Sequence, residues 1–355
     1  MATDGLNVDG RGTHRNPENR FERIHVDEGP EWRDAEGGEA EPTRFYRDTS
    51  KSALAENDSP DVGFRFSLNP YRGCEHGCIY CYARPTHEYL GFSAGLDFER
   101  RVMVKEDAPR LLRRTFLSRH WSPQVVALSG NTDCYQPIER RLQITRRCLE
   151  VFCEFRNPVA VVTKSALVVR DSDLLGELAA AGAASVMVSL TTLDNDLARR
   201  MEPRAAIPER RLEAIATLAR AQIPVGIMIA PVIPGLNDRE IPNILQRAAA
   251  AGARSASWLL LRLPAPVDQL LIDWLQGRYP ERQQRVLNRI RQCRNGALSD
   301  SRFGRRMRGE GAYAEQIGAL FRAAARRTGL DQSLPPLNPT AFRRPPQPGE
   351  QLSLY

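Results

Sequence analysis

The chain has 355 residues, 42% of them hydrophobic and 7% aromatic, and carries a net charge of +7. That length is enough for one large core or two moderate ones, and no apolar run reaches the roughly 18–20 residues of a membrane span. The opening MATDGLNVDGRGTHRN has no apolar signal core, so the expected location is the cytoplasm, with no membrane partner.

The charge is unevenly placed. Residues 1–60 hold 8 Lys+Arg and 14 Asp+Glu, whereas 278–327 hold 13 arginines against Glu281, Asp300, Glu310 and Glu315. Such a basic stretch suits contact with phosphates, and it also suits a solvated helix face. Arginine is abundant throughout: 47 stand against three lysines, Lys51, Lys105 and Lys164.

Residues 1–60 show little periodicity and read as a disordered or loosely docked arm. FRFSLNP (64–70) reads as a first strand, just before a group of cysteines. VVALSG (125–130) is a short apolar run closing on glycine, a buried-strand signal. PIERRLQITRRCLEVFCEF (137–155) has helical spacing, with Leu142, Cys148, Leu149 and Phe152 near one face. VAVVTKS (159–165) predicts a strand. DSDLLGELAAAG (171–182) predicts a helix with Asp171 as its N-cap and a glycine stop. SVMVSLTT (185–192) and VGIMIAPVIPG (225–235) predict strands around a helix over 208–222. A helix over 238–252 and a strand over 255–264 complete the alternation. Strands apolar throughout, alternating with amphipathic helices, mean a parallel sheet covered by helices. Six such units fit either an open sheet or most of a barrel. In both, active residues sit at the C-terminal strand ends. Residues 266–330 read as a basic helical extension, and 331–355 as a proline-rich, extended tail.

Seven cysteines make a poor disulfide framework for a chain of this length, which points to a reducing compartment. Three of them, Cys74, Cys78 and Cys81, stand at C-x3-C-x2-C. A closed zinc site needs four ligands, which His76 or His87 could complete. An iron–sulfur cube held by three thiolates would leave one iron open, the mark of a catalytic site. Gly73 and Gly77 would let the loop wrap a cube and present N–H groups to its sulfurs.

C-x3-C-x2-C with an aromatic residue before the third cysteine, after the first strand of a sixfold βα pattern, resembles the radical S-adenosylmethionine (SAM) superfamily over roughly 64–264. The resemblance implies a partial (βα)6 TIM-type barrel over 61–265. It implies a [4Fe-4S] cluster on Cys74, Cys78 and Cys81, with SAM chelated at the open iron through its amino and carboxylate groups. It also implies a flavodoxin- or ferredoxin-type reductant. The implied chemistry is reductive SAM cleavage to methionine and a 5′-deoxyadenosyl radical that abstracts hydrogen.

CYAR, GNTDCYQPIE, TKS, SLTTLD and RMEPRAAIPERRL resemble, more narrowly, the spore photoproduct lyase-related group, whose lyase reverses a thymine dimer. That resemblance implies a hydrogen-atom relay through Tyr80 and Tyr82. It implies contacts to the SAM amino group from Ser129, Asn131, Thr132 and Asp133, and further SAM contacts from Lys164 and Ser189. APVIPG (230–235) would pack against the adenine. The sequence departs from the lyase where a hydrogen-donating cysteine is expected shortly before Asp133. Ser-Gly-Asn-Thr stands there, and Cys134, just after Asp133, is the thiol that could face the site instead. Three functions stay open on the sequence: radical chemistry on nucleic acid, held by the basic 278–327 region; radical chemistry on a protein or small molecule; and a zinc-stabilised nucleic-acid-binding module. Arg305, Arg306 and Arg308 are candidates to clamp a phosphate or carboxylate.

Overall fold

The computed structural model describes residues 10–21 and 42–345. Arg44–Arg47 (β1) and Leu54–Glu56 (β2) precede Phe66–Leu68 (β3). The long connection after β3 carries Tyr71–Arg72 (β4), the cysteines, Leu96–Arg100 (α1) and Arg101–Val104 (β5). Helices and strands then alternate: Ala108–Leu117 (α2), Val126–Leu128 (β6), Glu139–Leu142 (α3), Ile144–Phe155 (α4) and Val159–Thr163 (β7). Ser172–Ala180 (α5), Ala184–Ser189 (β8), Asn195–Met201 (α6), Pro208–Arg220 (α7) and Val225–Val232 (β9) follow. Ile241–Ala250 (α8) and Ala256–Leu260 (β10) complete the alternation. Val267–Arg278 (α9), Pro280–Gln292 (α10) and Ala312–Thr328 (α11) form the extension.

The main sheet has the order β10-β9-β8-β7-β6-β3-β2. From β3 to β10 every pairing is parallel and the spatial order follows the chain. A doubly wound sheet would reverse order at a switch point. The unbroken order winds one way, as in a barrel, and the barrel stays open because β3 and β10 do not pair. β2 covers the β3 edge antiparallel. At the other edge, the β10 amides of Ala256 and Leu260 donate to the carbonyls of Leu330 and Met307. Both exposed edges are thereby occupied by the chain itself.

β8 is buried along nearly its whole length, as a strand covered on both faces must be. The main core gathers the strand valines and isoleucines with Phe116, Trp121, Phe152 and Phe155. A second apolar cluster joins α9 and α10, through Leu270, Trp274, Val286 and Ile290, to Ile79 and Tyr80 of the cysteine loop. The extension therefore packs against the loop rather than standing apart. Among the described residues, no helix is long and apolar enough to cross a membrane.

Three expectations are corrected. The arm is not wholly disordered or loosely docked: β1 pairs with β5 and β2 with β3, residues 11–20 are bonded to the 88–99 segment, and Gly12 stands against Gly77 of the cysteine loop. These pairings draw on backbone groups of the sheet edges, which composition does not reveal. The helix expected over 137–155 breaks at Gln143, which is left-handed. Buried Glu139 turns inward there, takes the Tyr71 hydroxyl and caps the amide of Thr145 at the start of α4. Asp171 does not cap α5 with its side chain, because Arg146 and Arg170 hold its carboxylate. The tail is docked as far as it is described. Phe342 packs on Phe116 and Phe155, and Arg344 donates to the carbonyls of Phe116, Ser118 and Trp121. Residues 346–355 lie outside the described residues.

Candidate active site at the three-cysteine loop

The loop 73–81 leaves the C-terminal end of β3 and is fastened on every side. The Cys74 amide donates to the Phe98 carbonyl (2.9 Å) and the Ile79 amide to the Met201 carbonyl (3.0 Å). Glu75 is buried; its amide donates to Gln136 Oε1, and its carboxylate accepts from the Ile138 amide and pairs with Arg204. Beneath the loop lies a fully buried ion pair, Arg84 with Glu99 (2.5 Å). Arg84 also donates twice to the Cys78 carbonyl and to the carbonyls of Ala94 and Gly95. A buried guanidinium is costly unless its donors are matched, and here they are spent on holding the loop.

Gly77 has φ +67°, and a Cβ on it would stand 2.7 Å from Glu99 Oε2. Its N–H faces the Cys74 carbonyl (3.4 Å) rather than a sulfur, so this glycine serves the turn and the close approach. The approaching segment is the N-terminal strap. The Gly12 amide donates to Glu99 Oε2 (3.0 Å), Arg11 donates to the Glu99 carbonyl, and Arg15 pairs with Asp273 of α9. A Cβ on Gly12 would lie 1.6 Å from the Gly77 carbonyl oxygen. Gly12→Val is therefore expected to lift the strap off the loop. The check is thiol alkylation of the apo-protein, in which Cys74 and Cys78 should react faster than in the parent chain while the main core stays folded.

Cys74 and Cys78 are buried and Cys81 half-buried, and none of the three is in a disulfide. Burial pushes the thiols of Cys74 and Cys78 well up, the neighbouring carboxylates of Asp133 and Glu202 add to this, and the Lys164 ammonium opposes it at Cys78. Such thiols become thiolates when a metal supplies the compensating charge. Neither nearby histidine completes a zinc site. His76 Nδ1 lies 3.4 Å from the Asp133 carboxylate and His87 Nε2 bonds the Arg101 carbonyl (2.8 Å). Burial holds both imidazoles down to about 4, and they are neutral at pH 7. Among the described residues, no three His, Cys, Asp or Glu side chains gather around one point as a single ion requires. Three thiols on one tight loop without a fourth ligand fit a cluster whose corners are bound separately.

The structure sets the sequence-predicted residues along the same rim. Tyr80 is buried; its hydroxyl donates to Glu202, and the Lys164 ammonium lies 5.8 Å from its ring centre. Tyr82 is half open to solvent, donates to the Gly130 carbonyl (2.6 Å) and carries Arg262 over its ring. Ser129 has a left-handed backbone, and its hydroxyl accepts from the Cys134 amide. The Asn131 amide donates to Asn69, and buried Thr132 donates to the Tyr71 carbonyl. Asp133 is the hub: its carboxylate accepts from the Thr163 hydroxyl (2.7 Å), the Lys164 amide (2.7 Å) and the Tyr135 amide (2.9 Å). Ser189, at the end of β8, donates to the Ala230 carbonyl. Cys134 differs. It has no exposure and its side chain belongs to the main core, so the thiol does not open onto the rim.

Glu202 is the member that sequence reasoning missed. Fully buried, it accepts from Tyr80, Thr191 and Arg211, and Arg211 in turn donates to the Ser189 carbonyl. It joins the cysteine loop to the ends of β8 and α7. Its signal was in RMEPRAAIPERRL, which contains both Glu202 and Arg211. The arginines offered as clamps are engaged within the chain. Arg305 pairs with Glu310, Arg306 with Asp61, and Arg308 donates to the Trp258 carbonyl while lying over its ring.

The family model of the radical SAM superfamily matches residues 68–248. The chain belongs to this superfamily. An uncharacterized protein of Mycobacterium tuberculosis is 36% identical over 242 residues, covering 67% of this chain and 71% of that one. A protein of Pseudomonas phage M6 named radical SAM Nalpha-GlyT isomerase is 25% identical over 214 residues, 59% of this chain and 42% of that one. Among solved structures, a spore photoproduct lyase variant superposes with a TM-score of 0.59 at 16% identity, covering 80% of this chain and 79% of the lyase. The lyase complexed with dinucleoside spore photoproduct gives 0.58 at the same identity and coverage. These likenesses establish a shared fold. The superfamily is one of enzymes that use a [4Fe-4S] cluster and SAM.

Proposed function

We propose that this chain cleaves SAM reductively at a [4Fe-4S] cluster on Cys74, Cys78 and Cys81, and that hydrogen abstraction then falls on a nucleic-acid substrate. When bound, cluster and SAM together supply a 5′-deoxyadenosyl radical. The carrying observation is the rim itself: three thiols with no fourth ligand at the C-terminal strand ends, beside a lysine with no carboxylate partner among the described residues. Lys164 follows β7 directly and is half-buried. Its ammonium is suited to the SAM carboxylate, while Asp133 fixes its backbone. Tyr80, held by Glu202, and the more open Tyr82 would form the hydrogen-atom relay between SAM and the substrate. Ser189, at the end of β8, and APVIPG (230–235), at the end of β9, would line the side where the adenine rests. A flavodoxin- or ferredoxin-type protein supplies the electron. The nucleic-acid reading is supported by the fold shared with a lyase that binds a dinucleoside photoproduct.

Lys164→Ala is expected to leave cluster assembly intact and to weaken SAM binding by about 1.5–3 kcal/mol, the value of a hydrogen bond to a charged group. That is a loss of about 10- to 150-fold in a titration followed by the perturbed cluster spectrum. Unchanged affinity would return Lys164 to a structural role. The substrate class is tested by incubating reconstituted protein anaerobically with SAM, dithionite and irradiated or native DNA or RNA. The reading expects 5′-deoxyadenosine formation to rise with nucleic acid. No rise with any nucleic acid would favour a protein or small-molecule substrate.

A further inference from the structure

A cavity of about 380 Å³ opens between the segment after β1 and the first turns of α2. Its walls carry Arg47, Lys51, Arg110 and Arg114, with Asp107 as the one acidic side chain among its lining residues. Asp107 is shared by two of the cations, Arg47 (3.3 Å) and Arg110 (3.2 Å), so it orients both and neutralises one charge. Arg114 gives one N–H to the Lys51 carbonyl (2.9 Å) and has no carboxylate partner among the described residues. The Lys51 ammonium likewise has none there. Arg47 also has the exposed Glu106 carboxylate at 4.0 Å, so four cations face two carboxylates around an open cavity; Lys51 and Arg114 carry the excess, which makes a site for an anion.

The cavity stands beside the cysteine loop. Ser50 on one wall accepts from Arg72 (3.0 Å), and Asp48, just behind that wall, pairs with the same arginine (2.9 Å). The other wall is tied to the same strand end, where the Lys105 amide donates to the Pro70 carbonyl (2.9 Å). Arg72 is two residues before Cys74, about 7 Å of extended chain. By contrast, Arg302, Arg305 and Arg306 of the basic extension are paired with acidic groups of this chain.

We propose that this cavity seats a backbone phosphate of the nucleic-acid substrate, fixing the strand while a neighbouring nucleotide reaches the rim. The inference rests on the nucleic-acid reading above. Phosphate contacts position a strand without reading its sequence, and each one that is lost flattens the salt dependence of binding.

The test compares the full chain with a Lys51→Gln, Arg114→Gln variant, both positions being exposed and outside the SAM site. Binding of a fluorescent single-stranded oligonucleotide is titrated between about 50 and 200 mM salt. The variant should bind more weakly at low salt, its log–log salt slope should fall by about one to two, and substrate-free SAM cleavage should not change. An unchanged slope and affinity, with the parent chain binding the oligonucleotide, overturns the cavity and leaves the nucleic-acid reading standing. If inorganic phosphate raises the melting temperature of the parent but not of the variant while oligonucleotide binding is the same in both, the site belongs to a free anion and the proposal fails. No oligonucleotide binding by the parent chain overturns the nucleic-acid reading and the proposal with it.

Discussion

Alanine at any one of Cys74, Cys78 or Cys81 is expected to abolish cluster assembly and, with it, all 5′-deoxyadenosine production. The effect should be complete rather than graded. Each thiol sits on a loop held in one conformation by Arg84, Glu75 and the Met201 carbonyl, so the loop cannot shift to offer a substitute ligand. The controls are Cys148, Cys153 and Cys293, which are buried, far along the chain and raised by burial as ordinary core thiols are. Their alanine variants should fold and keep full iron content. Equal loss of iron in a folded Cys148→Ala protein would contradict the assignment of ligands.

The second large effect is expected at Glu202. Glu202→Ala leaves Arg211 buried with no counter-charge and Tyr80 and Thr191 without their acceptor. Breaking a buried pair from one side costs about 3–5 kcal/mol, and thermal melting should fall by roughly 5–15 °C. Tyr80→Phe removes one hydrogen bond to a charged group and should cost about 1.5–3 kcal/mol. The two losses should be less than additive, because both act through the same carboxylate. A double variant, Glu202→Leu with Arg211→Met, should recover part of the stability by removing both charges. If Glu202→Ala melts as the parent does, the network does not hold the cysteine loop as described.

The parallel sheet was legible because its strands are apolar throughout and its helices are periodic, so the buried sheet and the helix layer around it both announce themselves. The choice between an open sheet and a partial barrel came from the family resemblance instead, since strand order is a long-range property that periodicity does not encode. The three cysteines stood out as a group from spacing alone, while their reading as ligands of one cluster rests on the family resemblance. Asp133 and Lys164 were legible as members of the site through the residues that carry the family resemblance. The bonds of Asp133 to Thr163 and Lys164, and its approach to His76, were not, being made between segments distant in sequence. The buried pairs Arg84–Glu99 and Arg211–Glu202 stayed hidden for a related reason. In a chain with 47 arginines a buried one looks like any other until its partners are known. The arm's strands were missed because β1 and β2 take their stability from edges already built by β5 and β3.

The central claim is tested most directly by anaerobic reconstitution with iron and sulfide, followed by SAM and dithionite, with metal content and 5′-deoxyadenosine measured on one sample. The account predicts about four irons per chain and 5′-deoxyadenosine well above that of a Cys78→Ala control carried through the same procedure. Tightly bound zinc in place of iron, or a fully loaded cluster that yields no 5′-deoxyadenosine and no methionine from SAM, would contradict it.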